Sequence, residues 1–373
     1  MKRRKKRIML LVPMLHQGGF ERVCVATARL LEPFYEVYVV IFDSSDIAYD
    51  IKGINVIDLR LGSKKGVPAK IVQVIRRCIH VMRLKDSLGI DIAYSFGPTA
   101  NLINALTRRH NQVWLGVRSY MDMGNPKQIR FFAKHSDKLI CCSEMIRREI
   151  EEKFKCDHAY TLHNPFNIAD ITASAAQEEA EIPWEDGRII VSMGREDVVK
   201  GFWHLLKIFS EVHKKLPDTK LMIIGKGEFE EYKQLAVDLG IDDAVYFTGL
   251  KRNPYPYLKR STLYLLTSYN EGFPNALVEA MALGIPVVAT DCMTGPGEIL
   301  EDKYGILVPN MSPEPDMNAG NITAEEKTVA SCVTGLLENE QEMERYRKLA
   351  LERASMYSTE KYVQKIQEWV EDV

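Results

Sequence analysis

The stretch SYNEGFPNALVEAMAL, residues 268–283, sets two carboxylates, Glu271 and Glu279, eight positions apart across a turn punctuated by Gly272 and Pro274. Upstream, LYLLT at 263–267 is an apolar run of strand length. Downstream, 275–283 has the apolar spacing and helix-forming residues of a buried helix. Glu271 is therefore expected in a strand-to-helix loop and Glu279 one to two turns into the helix. Gly272 lets the backbone approach a ligand closely, Pro274 suits a first helical turn, and the N–H groups around 273–276 point out of the helix start. Such a start suits an anion, above all a phosphate. Carboxylates beside it would repel a phosphate, so they are expected to accept hydrogen bonds from hydroxyls further along the same ligand. A molecule with a diphosphate in the middle and hydroxyl-rich rings on both sides is a nucleotide sugar. Either Glu alone would be read as a solvated loop or helix-face charge; the constellation carries the reading.

The rest of the second half supplies matching cations. A strand at 188–193 runs into Gly194-Arg195, with Lys200-Gly201 five residues on and a helix to about residue 216. Arg195 and Lys200 thus stand at a strand's carboxyl end, where a diphosphate needs neutralising; Arg can grip it through two donors and Lys acts as a point charge. A solvated surface is the plain alternative. Strands at 220–224 and 245–248 lead into Gly225-Lys226-Gly227 and Gly249-Leu250-Lys251, and a strand at 286–289 into DCMTGPGEIL, 291–300. A long helix at 357–370, with Trp369 as an apolar anchor, ends the chain.

The first half alternates strand-like and helix-like segments, as a parallel sheet covered on both faces requires. The first strand, 8–12, ends in HQGGFERV at 16–23, and a helix runs on to about residue 31. Gly18-Gly19 before a helix start can cradle a phosphate, although a Gly-Gly turn alone is weak evidence. It is not the G-x-G-x-x-G pattern, which counts against an NAD-dependent oxidoreductase. Strands are expected at 37–42 and 55–59, then a long helix at 66–88 with Ile71, Val74, Ile75, Cys78, Ile79 and Met82 as its apolar positions. Lys64, Lys65, Lys70, Arg76, Arg77, Arg83 and Lys85 crowd its other faces. Together with KRRKKR at 2–7, they suit the first half to an anionic membrane surface, at about 1 kcal/mol per basic residue near the lipid. Ordinary solvated faces and a solubilising tail explain the same charges. Further strands are expected at 90–95, 113–117, 138–142 and 160–163, and a helix at 144–154. Arg118, after the strand at 113–117, cannot act as a base; it can hold a phosphate or a developing negative charge, or pair with Asp122 and cap the sheet. His163 in HNP, 163–165, is read as structural. The polar, aperiodic segment 168–186 reads as a linker.

Composition narrows the class. With 373 residues, 46% hydrophobic, 27% charged and a formal net charge of −2, the chain has room for two globular domains and no charge excess that points to nucleic acid. Seven scattered cysteines include no C-x-x-C pair, so neither zinc nor a disulfide framework is expected, and a reducing cytoplasm is the natural location. No Asp-x-Asp and no His/Asp cluster marks a metal site, and no cofactor beyond the sugar nucleotide itself is expected. No run reaches the ~18 apolar residues of a membrane span. The apolar run after KRRKKR is short, contains Pro13 and lacks a small-residue cleavage site, so it reads as the first strand and not as a signal peptide.

Glu-x7-Glu within SYNEGFPNALVEAMALGIPVVATD, 268–291, resembles the donor-binding segment of the family 4 retaining glycosyltransferases, and the similarity covers most of the C-terminal half. The resemblance implies the GT-B fold, α/β with two Rossmann-like doubly wound parallel-sheet domains facing a central cleft. The implied division is an acceptor-binding domain at 1–167, a linker at 168–186, a donor-binding domain at 187–356 and a helix at 357–373 crossing back. Carried over by position, Glu271 would touch the transferred sugar, and Gly272, Phe273, Pro274 and Asn275 would present backbone groups to sugar and phosphate. Glu279 would hold the ribose hydroxyls, and Arg195 and Lys200 beside Gly194 would contact the pyrophosphate. Gly225 would border the ligand, Gly249, Leu250 and Lys251 would lie against the base, and Gly18-Gly19 in GGFER would face the donor from the first domain. Arg118 stands where the family often has histidine. DCMTGPGEIL is similar to a loop of bacterial members that use UDP-sugars, with Thr294 and Gly297 as departures.

The resemblance implies metal-independent transfer of a hexose or N-acetylhexosamine, with retained configuration, from a nucleotide sugar (UDP-linked in that branch) to a saccharide or lipid-linked acceptor in cell-surface polysaccharide synthesis; a peripheral position at the inner face of the cell membrane fits the basic first half. A same-fold UDP-sugar epimerase, a sugar phosphorylase and a non-catalytic nucleotide-sugar binder remain as alternatives, since fold alone does not choose among them.

Overall fold

Strands buried on both faces need helices on both sides, and the chain meets this need twice. A computed structural model describes residues 4–16, 18–177 and 180–372; Lys2 and Arg3 of the basic prefix, Gln17 beside the Gly-Gly turn, and Glu178 and Glu179 of the expected linker lie outside the described residues. The chain divides into one unit of Met1–Pro165 with Thr359–Val373 and another of Phe166–Ser358.

In the first unit β1 (Arg7–Val12) leads through α1 (Gly19–Leu31) to β2 (Glu36–Ile41) and β3 (Val56–Asp58). Next come α2 (Val67–Leu88), β4 (Ile92–Phe96), α3 (Pro98–Leu106), β5 (Gln112–Val117), α4 (Pro126–His135), β6 (Lys138–Cys141), α5 (Glu144–Phe154) and β7 (Ala159–Thr161). The parallel sheet has the order β3-β2-β1-β4-β5-β6-β7, reversing beside β1. Side-chain alternation along β1 fills both faces: Ile8, Leu10 and Val12 join one core, and Met9 and Leu11 the other.

The second unit begins with α6 (Ile168–Ser174), then β8 (Arg188–Met193), α7 (Phe202–Lys215), β9 (Thr219–Ile224), α8 (Glu230–Asp238), β10 (Val245–Gly249), α9 (Tyr255–Lys259) and β11 (Leu263–Leu266). It continues through α10 (Asn275–Ala282), β12 (Val287–Thr290), α11 (Pro296–Leu300), β13 (Ile306–Val308), α12 (Ala324–Leu337) and α13 (Glu340–Ser355). Its sheet, β10-β9-β8-β11-β12-β13, reverses between β8 and β11. The last helix, α14 (Thr359–Glu371), belongs to the first unit. There Trp369 meets Trp114 edge-on at 6.0 Å and Tyr160 at 5.4 Å, and the Tyr362 and Thr27 hydroxyls lie 2.7 Å apart. Two parallel α/β units are the fold class that the alternation pattern leads one to expect.

Three expectations need correction. The segment 168–186 is not an unstructured linker throughout: Asn167 caps α6 by accepting from Asp170 N–H, and Asn253 Nδ2 donates to the Ser174 carbonyl at 2.9 Å. The chain passes between units after Pro165 and after Ser358, displaced from 167 and 356. The third concerns α2, whose apolar face is not the buried one. Gln73, Arg77, Val81 and Lys85 are buried, Val74, Cys78 and Met82 half-buried, and Ile71, Ile75 and Ile79 exposed. The cause is tertiary. Gln73 donates to the Gly62 carbonyl at 2.8 Å, Arg77 donates to the Leu61 carbonyl at 2.6 Å while lying over the Phe42 ring, and Lys85 donates to Asn104 Oδ1 and the Thr107 carbonyl. Long donors reaching otherwise unpaired loop carbonyls outweigh the local apolar pattern.

Burial lowers Lys85 from 10.5 to about 7. The unfolded chain therefore binds more protons than the folded one between those values, and this group's contribution to stability rises with pH across that window. A Lys85→Met variant should show a flatter rise of Tm from pH 7 to 10 than the wild type, whatever its constant offset. Parallel Tm curves in the two proteins would contradict the buried, depressed lysine.

Candidate active site

Open α/β sheets bind ligands beyond the strands' carboxyl ends where the strand order reverses. In the second unit that point lies between β8 and β11, and the loops leaving these strands are locked together there. Gly201 has φ +61° and a Cβ on it would sit 2.4 Å from the Thr267 carbonyl oxygen, so only glycine fits. Thr267 Oγ1 donates to the Lys200 carbonyl at 3.0 Å, and Tyr269 N–H donates to the Val199 carbonyl at 3.1 Å. Gly225 is held as closely, since its Cβ would fall on the Gly194 carbonyl oxygen.

These contacts aim Lys200. Its stem lies over Gly194, whose Cβ would be 3.1 Å from Lys200 Cε, and its Nζ donates to Glu271 Oε1 at 2.8 Å. Both side chains are largely shielded, so this pair is screened less than a surface one. Arg195 differs: its Nη2 donates to Asp197 Oδ2 at 2.8 Å from an exposed position, an ion pair that costs little to open. Asp197 also caps the 3-10 turn Val198–Lys200.

Glu279, in the second turn of α10, is buried at 1% exposure, and the Tyr255 hydroxyl donates to its Oε1 at 3.3 Å. The start of α10 carries no side-chain cap. Phe273 before it is buried against Phe166 and Tyr357, at ring distances of 6.4 and 5.3 Å. The loop after β12 supports the turn from the other side. Thr294 Oγ1 donates to the Glu271 carbonyl, Thr290 Oγ1 to the Ser268 carbonyl, and Gly295, at φ +89°, leaves room for the Pro274 ring. Thr294, a departure from the related loop, thus makes its bond through the hydroxyl a serine would share. Burial, helped by Glu271, pushes the Cys292 thiol up to about 12, so it is inert. At the carboxyl end of β10, Gly249 accepts from Gly225 N–H at 3.2 Å, Leu250 is exposed, and Lys251 lies over the Tyr257 ring at 4.9 Å.

The structure thus gathers Gly194, Lys200, Gly225, Glu271 and Glu279 around the carboxyl ends of β8, β9 and β11. Tyr255 was missed in the sequence because its contact with Glu279 spans α9 and α10. So were the pairs that hold the segment after β13 to α7: His204 Nδ1 to Glu326 Oε1 at 2.6 Å, buried, and Lys207 Nζ to Asp316 Oδ2 at 2.9 Å, half-buried. The Thr323-x-x-Glu326 capping box was a legible signal for that helix start. Among the described residues no three His, Cys, Asp or Glu side chains converge so as to hold a metal ion.

The first unit's candidates fall differently. The turn expected to cradle a phosphate is occupied from within: Gly18 N–H donates to the Tyr49 hydroxyl at 3.0 Å, which donates back to the Gly18 carbonyl at 2.6 Å. A Cβ on Gly18 would strike Glu21, whose buried carboxylate lies 3.2 Å from His16 Nε2. A carboxylate there disfavours a phosphate at the start of α1, where Gly19 is the first residue. Arg118 is buried, with Nη2 donating to the Tyr94 hydroxyl at 2.6 Å and Nη1 to the Leu162 carbonyl at 3.2 Å, and with its guanidinium 5.3 Å from the Phe96 ring centre. Asp122, raised to about 6 by burial, accepts from the Arg118 backbone N–H and not from the guanidinium. Arg118 is therefore a cation that ties strand ends together, in line with the sheet-capping alternative of the sequence, with the Tyr94 hydroxyl and the Leu162 carbonyl as partners of its guanidinium in place of Asp122.

Residues 174–324 match the family model described as glycosyl transferases group 1. An uncharacterised glycosyltransferase of Methanocaldococcus jannaschii is 31% identical over 263 residues, an alignment that spans 64% of this chain and 64% of that relative, a little under two thirds of its length. A Campylobacter jejuni enzyme named N-acetylgalactosamine-N,N'-diacetylbacillosaminyl-diphospho-undecaprenol 4-alpha-N-acetylgalactosaminyltransferase is 26% identical, with 81% of this chain and 86% of its own covered. The fold matches the crystal structure of Anabaena HepE in complex with UDP, at a TM-score of 0.79 and 17% identity over 98% of this chain and all of that one. The fold is thus the GT-B architecture of two parallel α/β units. Over residues 174–324 the chain resembles the group 1 glycosyltransferases.

The Gly201–Thr267 contact sets the position of Lys200. Gly201→Ala should lower stability by ~1–3 kcal/mol, the scale of backbone strain at a forbidden φ, and weaken UDP binding with it, read by thermal melts and calorimetry. A variant as stable as the wild type would refute this account of the loop.

Proposed function

We propose that the chain transfers a hexose or N-acetylhexosamine, with retention and without a metal, from a UDP-sugar to a saccharide or lipid-linked saccharide in cell-surface polysaccharide synthesis. The observation that carries the reading is the Lys200–Glu271 pair beside buried Glu279 at the reversal of the second sheet. It resolves a conflict in the sequence: a carboxylate next to a diphosphate is repelled unless a cation sits between them.

In the reaction the bond from the anomeric carbon to the diphosphate oxygen breaks, and a bond from the acceptor oxygen forms on the same face. The acceptor's proton passes to the departing phosphate oxygen, and UDP leaves. Charge on the diphosphate is met by Lys200 and the start of α10, both oriented before the reaction, and by Arg195 once it leaves Asp197. Glu271 receives a hydroxyl of the transferred sugar and Glu279 the ribose hydroxyls, with Gly249, Leu250 and Lys251 against the base. Glycosidases that retain configuration set two carboxylates about 5 Å apart as nucleophile and acid; front-face transfer requires no such pair. The relatives' names support a saccharide or lipid-linked acceptor, and the basic residues of the first unit suit an anionic membrane surface and a location at its inner face.

Incubation with UDP-hexoses and UDP-N-acetylhexosamines and a lipid-linked acceptor extract should release UDP and yield an α-linked product with EDTA present. An epimerised UDP-sugar or a sugar phosphate would instead mark an epimerase or a phosphorylase of the same fold. Glu279→Ala should weaken UDP binding by ~10–100-fold, the loss of one or two charge-assisted hydrogen bonds. Lys200→Ala should lower kcat at least as much while the protein stays folded. Unchanged kinetics in both variants would overturn the site assignment.

A further inference from the structure

Five of the large apolar side chains left in water stand on one helix. Val67, Ile71, Val72, Ile75 and Ile79 of α2 are 38–70% exposed, whereas no other element of the described residues carries more than one such side chain. Val67, Ile71, Ile75 and Ile79 are spaced four apart and form one row about 18 Å long at 1.5 Å per residue. Val72 widens the row on one side. The helix is turned so that Gln73, Arg77 and Lys85 point into the protein and the isoleucines point out. Scattered exposed hydrophobes need no explanation; a contiguous stripe marks a contact surface.

The charges beside the stripe identify its occupant. Arg76 and Arg83 lie along its edge and Lys64, Lys65 and Lys70 around its start, all exposed and none in an ion pair among the described residues. The only acidic residue of α2, Asp86, is taken by Arg109 at 2.8 Å. A second copy of this chain docking symmetrically would bring these cations against their own counterparts, at a Coulombic cost. An apolar face with a basic rim is instead complementary to the acyl and headgroup layers of an anionic bilayer, where isoleucines enter and Lys and Arg meet phosphates. No helix of the described residues is long and apolar enough to cross a membrane, so this contact lies along the surface.

We infer that α2 is a membrane-surface helix, lying on anionic lipid through its Val67–Ile71–Ile75–Ile79 row. The inference deepens the membrane contact proposed above and rests on that reading of the first unit's charge. It assigns the contact to a face instead of to the basic prefix.

The test is flotation of the full chain with vesicles of neutral phosphatidylcholine, or of the same lipid with about one third phosphatidylglycerol, with UDP binding measured on the same samples. The wild type should float with anionic vesicles only. The triple variant Ile71→Ser, Ile75→Ser, Ile79→Ser should lower the bound fraction at least ~10-fold, since three buried side chains are lost from the lipid. Arg76→Gln with Arg83→Gln should lower it several-fold, and all variants should bind UDP as the wild type does. Wild-type protein that ignores both vesicles overturns the inference, as does a triple variant that floats undiminished, which would leave the contact to the basic prefix. A wild-type dimer that the triple variant dissolves also overturns it and assigns the stripe to a second copy. Loss of UDP binding by the wild type, with flotation intact, would sink the donor site and leave the lipid face standing.

Discussion

The loops after β8 and β11 can approach only because Gly201 has no side chain. A Cβ there would strike the Thr267 carbonyl, the Thr267 hydroxyl donates to the Lys200 carbonyl, and Tyr269 N–H donates to the Val199 carbonyl. This clasp closes the point at which the sheet reverses, and it is what holds a flexible lysine at 2.8 Å from Glu271. Everything proposed of the site depends on it. A loosely held Lys200 would lose conformational entropy on each encounter with a diphosphate, whereas a clasped one has lost it already on folding.

Charge balance follows from the same geometry. Glu271 and Glu279 would make the second sheet's edge hostile to a diphosphate if they stood alone. Glu279 is instead buried with the Tyr255 hydroxyl, and Glu271 is paired with Lys200. The second cation, Arg195, is the less restrained, paired with Asp197 at the surface. In the proposed reaction such a division would supply a fixed charge for orientation and a movable one for the charge that develops on departure of the leaving group.

Much of this was legible in the sequence and some was not, for identifiable reasons. The strand-turn-helix around Glu271 and Glu279 follows from local pattern, because Leu263–Leu266 and α10 are decided by apolar spacing and by the punctuation of Gly272 and Pro274. The cations after β8 were visible as types but not as partners: that Lys200 meets Glu271, 71 residues away, and Arg195 meets Asp197 is set by packing. Arg118 shows the limit most plainly. Guanidinium chemistry allowed a ligand contact, yet Tyr94, Leu162 and Asn164 from distant segments accept from its two terminal nitrogens. In α2 the apolar period named the right helix and the wrong inner face, because the carbonyls of Leu61, Gly62 and Thr107 recruit Arg77, Gln73 and Lys85.

The central claim is that the edge of the second sheet is built for a uridine diphosphate held by protein cations. Calorimetric titration of the full chain with UDP, GDP and ADP, each in the presence of EDTA, tests it most directly. The account predicts that UDP binds, that it binds more tightly than the other two, and that EDTA changes nothing. Failure of all three to bind, or UDP binding that EDTA abolishes, would contradict it.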